Sequence, residues 1–419
     1  MRADPDRRRR VTVVTSGHLS TCPRMLKAAD ALADAGHAVH VVATRHEPWA
    51  TDADADVRSR RDWPLTVVNY SRGERGSIYW PSGMEHRSAR ALTRAVGIAS
   101  VPQPIVSRAF ARVHSALLHA ILAVPGDLIY GGTTGALAAI AEAGRRSGTP
   151  YAVDFEDFHS AETGGPGAPF IDALAERIER TVIDRAVFLT TSSEKIAAAY
   201  HAKYHITPTV IHNTFPLPAQ APDFSRVAGA PLRVYWFSQT IGPARGLEET
   251  IAALGRTGIA AELTLLGRPH DNFLDALRDA ARTQAPRVTL VHRQPAPPDS
   301  MVDAARGHDI GLALDHGSPL NRELCITNKA LTYILAGVPV LMADTPGQRA
   351  LGVDLGRGAI LVDPRDVGAL ADAFAAWAES PAALECAKRT AWNAATRRWH
   401  WEHEDERGVL RRLVGVALA

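Results

Sequence analysis

Cysteine is scarce in this 419-residue chain: there are 3, Cys22, Cys325 and Cys386. A count so low and odd supplies neither a disulfide framework nor a metal-ligand spacing. It fits a reducing compartment and predicts a cytoplasmic protein, with each cysteine acting as a small apolar residue. Long apolar runs are missing too. None approaches the ~18 residues of a membrane-spanning helix. Arg7 to Arg10 precede only the short apolar stretch Val11 to Thr15, with no small-residue cleavage pattern after it, so a secretory signal is rejected. An excess of one charge is also lacking: 47 Lys and Arg against 45 Asp and Glu leave a net +2, too little to argue for nucleic acid. Gly-x-Gly-x-x-Gly is absent. Gly131-Gly-Thr-Thr-Gly135 follows the fourth expected strand rather than the first, with no acidic residue at the right distance beyond it, which disfavours an NAD-dependent oxidoreductase. Asp52, Asp54 and Asp56 alternate, yet Val57 stands where a calcium loop needs Gly and Trp63 where it needs Glu, so a solvated acidic loop is expected.

What is present reads as α/β. With 46% apolar and 22% charged residues, the composition is that of a globular protein, and the length suits two domains of roughly 200 residues each. Short apolar strands alternate with helices: Val11–Thr15, His37–Ala43, Leu65–Tyr70, Asp127–Tyr130 and Arg185–Thr190 come before a Pro- and Ala-rich stretch, and 232–238, 261–266, 287–292, 309–315 and 338–342 after it. This alternation predicts two doubly wound, Rossmann-like parallel-sheet domains. The expected boundaries are 1–215, a linker over 216–231, a second domain over 232–385, and 386–419 as a segment whose long terminal helix (392–418) packs back on the first domain through Trp399 and Trp401. Residues 71–125 are rich in arginine (Arg72, Arg75, Arg87, Arg90, Arg94, Arg108, Arg112) with Tyr79, Trp80 and Phe110 between them. Three readings stay open there: an acceptor-binding flank, a surface resting on an anionic membrane, or two surface helices with solvated arginines.

Two clusters carry chemistry. In the second half, the strand Asp309–Asp315 is followed by a polar loop, a helix capped by Thr327 or Asn328 and stopped by Gly337, and another strand. A βαβ unit of this kind sets a helix N-terminus, with its partial positive charge and free N–H groups, at the carboxyl edge of the sheet. Lys329 in the first turn opposes the helix dipole; an anionic ligand is one reason for it, and a side chain pointing into water the other. In the first half, the strand from Tyr151 runs into Asp154, Glu156, Asp157 and His159. Carboxylates at a strand end are costly to bury unpaired, so they face a cleft or a partner.

Thr327-Asn-Lys-x-x-x-Tyr333-x-x-Ala-Gly337-x-Pro339-Val resembles the donor segment of GT-B glycosyltransferases of the retaining family 4 type. Gly242-Pro-Ala-Arg245-Gly246-Leu-Glu248 is similar to the segment in which that family grips the donor diphosphate, and Ser16-Gly-His-Leu-Ser-Thr with Pro23-Arg24, Lys27 and Gly36-His37 to its opening loop. The resemblance implies two domains facing a cleft in the GT-B arrangement. It implies transfer of a sugar from a nucleoside diphosphate donor to an acceptor hydroxyl, with retention and no resident cofactor; no metal is needed if the cations serve. The donor would be held by Arg245, Gly246, Gly267, Asp315, Thr327, Asn328, Lys329 and Thr332. Arg245 and Lys329 would offset leaving-group charge, Glu156 and Asp157 would act at the sugar or acceptor, and Gly17, His18 and Gly132 would line the acceptor side. The acceptor itself (a glycan, a lipid-linked or a small molecule) stays open. Four positions depart from the family, the first being Leu324, where the leading Glu of its Glu-x7-Glu pair is expected. Thr332 stands where a Glu usually holds the ribose, leaving Asp315 or Glu323 to replace it. Gln239 stands where a Gly follows the strand, and Glu156 where a His lies near the sugar. These departures keep open a non-catalytic partner subunit, and the fold keeps open a nucleotide-sugar epimerase or a phosphorylase.

Overall fold

The computed structural model describes residues 8–73, 78–227 and 229–419; Arg7 and Arg75 lie outside them. The chain divides into two units. The first comprises residues 1–211 and 407–419, the second residues 212–406. The stretch 216–231 therefore belongs to the second unit, as does 386–406, and only the last residues return to the first.

The first unit is built on seven parallel strands: β1 (Arg10–Thr15), β2 (Ala38–Arg45), β3 (Leu65–Asn69), β4 (Leu128–Gly132), β5 (Tyr151–Asp154), β6 (Leu189–Thr191) and β7 (Thr209–Val210). Their order is β3-β2-β1-β4-β5-β6-β7. Helices cover both faces, so the central strands read as unbroken apolar runs: Val11, Val13 and Val14 of β1 are buried, and so is all of β4.

The second unit carries six parallel strands: β8 (Leu232–Ile241), β9 (Ala261–Pro269), β10 (Val288–Arg293), β11 (Ile310–Ala313), β12 (Val340–Ala343) and β13 (Ala359–Val362). They run in the order β10-β9-β8-β11-β12-β13. Side chains alternate across this sheet. Val234 and Trp236 join the core on one face with Leu263, Leu312 and Leu341, while Tyr235 and Phe237 join the other with Tyr333, Val340 and Met342. In each sheet the strand order reverses between the first strand and the fourth, and ligands of open α/β sheets bind beyond the carboxyl ends of the strands at that point.

Three expectations are corrected. Asp52, Asp54 and Asp56 lie on a helix, Thr51–Ser59, not in a loop; two acids in the first turn suit the helix dipole. Strand β8 continues through Gln239 to Ile241, with a register shift against β9 between Phe237 and Thr240. The long terminal helix is broken. One helix ends at Arg397 and another spans Val409–Leu418. Between them Trp399 donates through Nε1 to Asp354, the Trp401 amide donates to the Phe215 carbonyl, and Glu402 accepts from the Leu217 amide. These tryptophans thus anchor the break within the second unit. The last helix belongs to the first unit, where Arg411 donates to the Ala31 carbonyl.

Candidate active site

The second unit gathers cations at its switch point. After β8 the chain turns through Gly242 and Ala244, whose φ is +60°, to Arg245 and Gly246, and enters the helix Leu247–Thr257. Gly246 has φ +72°, and a Cβ there would lie 2.5 Å from the Leu314 Cβ and 2.8 Å from the Leu314 carbonyl oxygen. A side chain is excluded by conformation and by contact. Its absence lets the loop after β8 lie directly against the end of β11. Arg245 thereby meets Asp315: Nη1 donates to Oδ1 at 2.5 Å. From the other side Lys329 Nζ donates to Oδ2 at 2.8 Å. The ammonium also stands 5.5 Å over the Trp236 ring.

Asp315 is thus clasped by two cations. Burial pushes its carboxyl up, but the charges of Lys329 and Arg245 outweigh this and bring it to about 2. Arg245 keeps 26% of its side chain exposed and Lys329 11%, against 6% for Asp315, so the cations are the solvent-reachable part of the cluster. A third cation, Arg322, sits in the short helix Leu320–Leu324. Burial lowers its pKa, and the charge of Arg245 lowers it further, while Asp315 opposes. Two cations therefore share one carboxylate, and Arg322, which donates to the Ser318 carbonyl, lies close enough to feel their charges. The sequence reading does not single out Arg322; the signal available is a basic residue on the polar loop seven positions before Lys329.

Lys329 is placed by its helix, Asn328–Leu335. Thr327 is the cap: its hydroxyl accepts from the Ala330 amide at 3.4 Å and donates to Gln348 at 3.1 Å. Asn328 is exposed at the helix start. Thr332 is fully buried, and its hydroxyl donates to the Asn328 carbonyl at 2.8 Å, a back-bond within the helix. Gly267 lies one strand away on β9, against the Ser238 carbonyl oxygen rather than against Asp315. Glu323 folds beneath Gly317, where an added Cβ would meet it at 2.9 Å.

In the first unit, the expected residues cluster at the ends of β1, β4 and β5. Gly17 admits no Cβ, which would fall 2.5 Å from the Cys22 sulfur. His18 is buried. Its Nε2 accepts the amides of His46 at 3.1 Å and Glu47 at 2.9 Å, so the ring proton is on Nδ1 and is donated to Asp54 at 2.7 Å. Asp54 also accepts from the Ser20 amide and hydroxyl. The histidine therefore orders the first loop through protein contacts at both nitrogens. Gly132 ends β4 beside Asp154.

The three acids at the end of β5 and just beyond it separate by role. Asp154 is fully buried and forks onto Arg24, with Nη2 at 2.8 Å and Nε closer still; Thr190 adds a bond at 2.9 Å. Arg24 in turn donates to the carbonyls of Ile211 and Thr191. This pair ties the helix Pro23–Asp34 to three strand ends and leaves no free carboxylate. Glu156 and Asp157 are half-buried. Glu156 has φ +35°, and its carbonyl is pinned by Ser192 through both amide and hydroxyl. The Tyr200 hydroxyl lies between two acceptors, the Asp157 carbonyl at 3.1 Å and the buried Glu179 carboxylate at 2.8 Å. His159 is buried, with Nδ1 2.8 Å from Glu162 and 3.1 Å from Thr134. Burial works against its charge, but Glu162 outweighs it and carries the pKa to about 9.

Residues 23–214 match the glycosyl transferase 4-like domain model. Among solved structures, the whole chain superimposes on sucrose-phosphate synthase from Thermosynechococcus elongatus with a TM-score of 0.71 at 13% identity, over 98% of this chain and 100% of that one. The chain has the GT-B glycosyltransferase fold. HepE from Anabaena, solved in complex with UDP and glucose, gives a TM-score of 0.64 at 16% identity, covering 98% of the GT-B chain and 99% of its own. TarM from S. aureus, as a point mutant in complex with fondaparinux, alpha-GlcNAc-glycerol and UDP, gives 0.66 at 8%, covering 98% and 99%. No individual curated sequence matches. The family match lies in the first unit of the GT-B chain but for its last residues, His212 to Thr214, whereas the cation cluster around Asp315 lies wholly in the second.

Proposed function

We propose that this chain transfers a sugar from a nucleoside diphosphate donor to an acceptor hydroxyl, with retention at the sugar carbon. The observation that carries the reading is the pair Arg245 and Lys329 clasping Asp315, at the switch point of the second sheet and beside the N-terminus of the helix Asn328–Leu335. The structures of HepE with UDP-glucose and with UDP and glucose support a donor of this class. The chemistry asks for stabilisation of a diphosphate that gains charge as the glycosidic bond breaks. Two partly open cations and a helix terminus supply it. A planar guanidinium at 245 suits two phosphate oxygens, and the ammonium at 329 acts as a point charge. Glu156 and Asp157, held on a braced loop, are assigned to the sugar or the acceptor hydroxyl.

Calorimetric titration with UDP and with uridine tests this. UDP is expected to bind the parent protein. Arg245→Ala and Lys329→Ala each weaken it by about 1.5–3 kcal/mol, the worth of one charge-assisted contact, and leave uridine unchanged. Asp157→Asn leaves UDP affinity nearly intact and lowers turnover, as for a group used in the transition state. Absence of UDP binding, or equal weakening of both ligands, overturns the donor-site reading.

A further inference from the structure

Four large apolar side chains stand exposed on a single helix of the first unit, Tyr79–Val96: Trp80 at 62%, Met84 at 56%, Leu92 at 43% and Val96 at 50%. At about 100° per residue, these four fall in one arc of roughly 160°. Ala91 and Ala95 lie within the same arc and are also exposed. The opposite side carries Ser82, Gly83, Ala89 and Thr93, which are buried. The helix is therefore amphipathic twice over: a small-residue face packs on the protein, and a large apolar face meets solvent. Pro81, Ser88 and Glu85 also fall within the arc, Glu85 with its charge taken by Arg108; four large apolar side chains exposed on one helix face still call for a partner.

The charges say what kind of partner. From Ile78 to Gly126 there are five arginines (87, 90, 94, 108, 112) and one acid, Glu85, a net of 5 − 1 = +4. The acid is neutralised by Arg108 at 2.5 Å. Four of the arginines touch the protein, Arg94 through its guanidinium alone, 4.7 Å over the Phe170 ring. Arg90 donates to the Ala109 carbonyl, Arg108 holds Glu85, and Arg112 donates to the Tyr79 carbonyl and lies 4.3 Å over the Tyr79 ring. Arg87 and Arg94 are exposed, and helical spacing puts both beside Trp80 at one edge of the apolar arc. A tryptophan-bearing apolar face edged by arginines matches the acyl boundary and phosphate layer of an anionic bilayer. A purely acidic protein surface would answer the arginines but leave the apolar side chains uncovered, and a second copy would cover the apolar side chains but supply no counter-charge to the arginines.

We propose that the exposed face of the helix Tyr79–Val96 docks the first unit on an anionic lipid surface, with Trp80, Met84, Leu92 and Val96 entering the interface and Arg87 and Arg94 on lipid phosphates. The inference does not depend on the glycosyl-transfer reading. Full-length protein is co-sedimented with phosphatidylcholine vesicles, with and without phosphatidylglycerol as roughly a third of the lipid. Binding to the anionic vesicles is expected, weakening as salt rises. Arg87→Gln with Arg94→Gln lowers it by roughly fivefold per arginine. Trp80→Ser with Met84→Ser lowers it by at least about tenfold. Both double variants keep the circular dichroism and melting temperature of the parent, because the four residues are exposed. Failure to bind anionic vesicles, equal binding to both lipid mixtures, or binding that neither variant lowers overturns the proposal. So does a dimer by light scattering that Trp80→Ser dissociates, which assigns the face to a second copy of the chain.

Discussion

Asp315 is the residue on which the candidate donor site turns. Its two oxygens are held by Arg245 and Lys329. A carboxylate so placed preorganises both cations, yet competes with any phosphate that approaches them. Asp315→Asn separates the two effects. The free protein is expected to lose about 2 kcal/mol, since two cations then face each other with no counter-charge. Inorganic pyrophosphate is expected to restore more stability in the variant than it adds to the parent. A melting-temperature series with pyrophosphate measures both, and an equal or smaller shift in the variant refutes the competition. Thr332 bears on the same site. Its hydroxyl is turned back onto the Asn328 carbonyl in a fully buried position, so nothing at 332 takes the place of a ribose-holding carboxylate.

The elements matter through where they stop. Strand β8 ends one turn before Arg245, and Gly246 starts the next helix at a φ of +72° against Leu314. Gly246→Ala forces a Cβ into Leu314 in a backbone conformation that L residues avoid. It is expected to cost about 2 kcal/mol or more in urea unfolding, and to weaken UDP binding because Arg245 is carried on the same turn. Unchanged stability in that variant shows that the loop relaxes freely and that the tight fit is not what positions Arg245. In the first unit, the loop after β5 is braced in a different way. Glu179 accepts from the Ser160 amide and from the hydroxyls of Tyr200 and Tyr204, and Ser192 holds the Glu156 carbonyl. A segment carrying Glu156 and Asp157 is thereby kept in place by groups from later elements.

At the scale of the whole chain, two buried groups set opposite edges of pH stability. Asp315, with a folded pKa of about 2 against an ordinary value of 3.8, contributes stability that is present above pH about 4 and lost as pH falls towards 2. His159, with a folded pKa of about 9 against an ordinary 6.5, contributes stability that is complete below pH 6.5 and lost as pH rises through 9. Stability is therefore expected to be highest between pH about 4 and 6.5, and to fall by something on the order of 3 kcal/mol towards pH 9. Denaturant unfolding across that range measures it. His159→Gln flattens the alkaline decline, and a parent curve level from pH 6.5 to 9 removes His159 as its cause. The chain also crosses between its units twice, after Ile211 and after Glu406. The two crossings are bonded together: the His212 amide and Nδ1 both meet Glu406, at 2.6 and 2.8 Å, and Arg398 adds a bond at 2.6 Å.

Much of this was legible from sequence because it is local. Apolar runs with helical stretches between them dictate parallel strands, since a helix crossover is what joins such strands. The cap at Thr327 and the stop at Gly337 are set by backbone conformation within a few residues. What sequence could not decide were the partners. Asp154 and Asp157 read alike as acids at a strand end, until Arg24, more than a hundred positions away, claimed the first of them. His18 read as a residue of the opening loop, and only the helix Thr51–Ser59 supplies its partner, Asp54. The terminal helix read as continuous because propensity is local, while the break is held by Phe215, Leu217 and Asp354. Sequence alone determined the parallel α/β architecture and singled out Arg245 and Lys329 as basic residues at helix starts. Tertiary structure alone decided which charges are already paired, because pairing depends on which distant strand ends become neighbours, and burial then makes each such pairing worth several times its value in water.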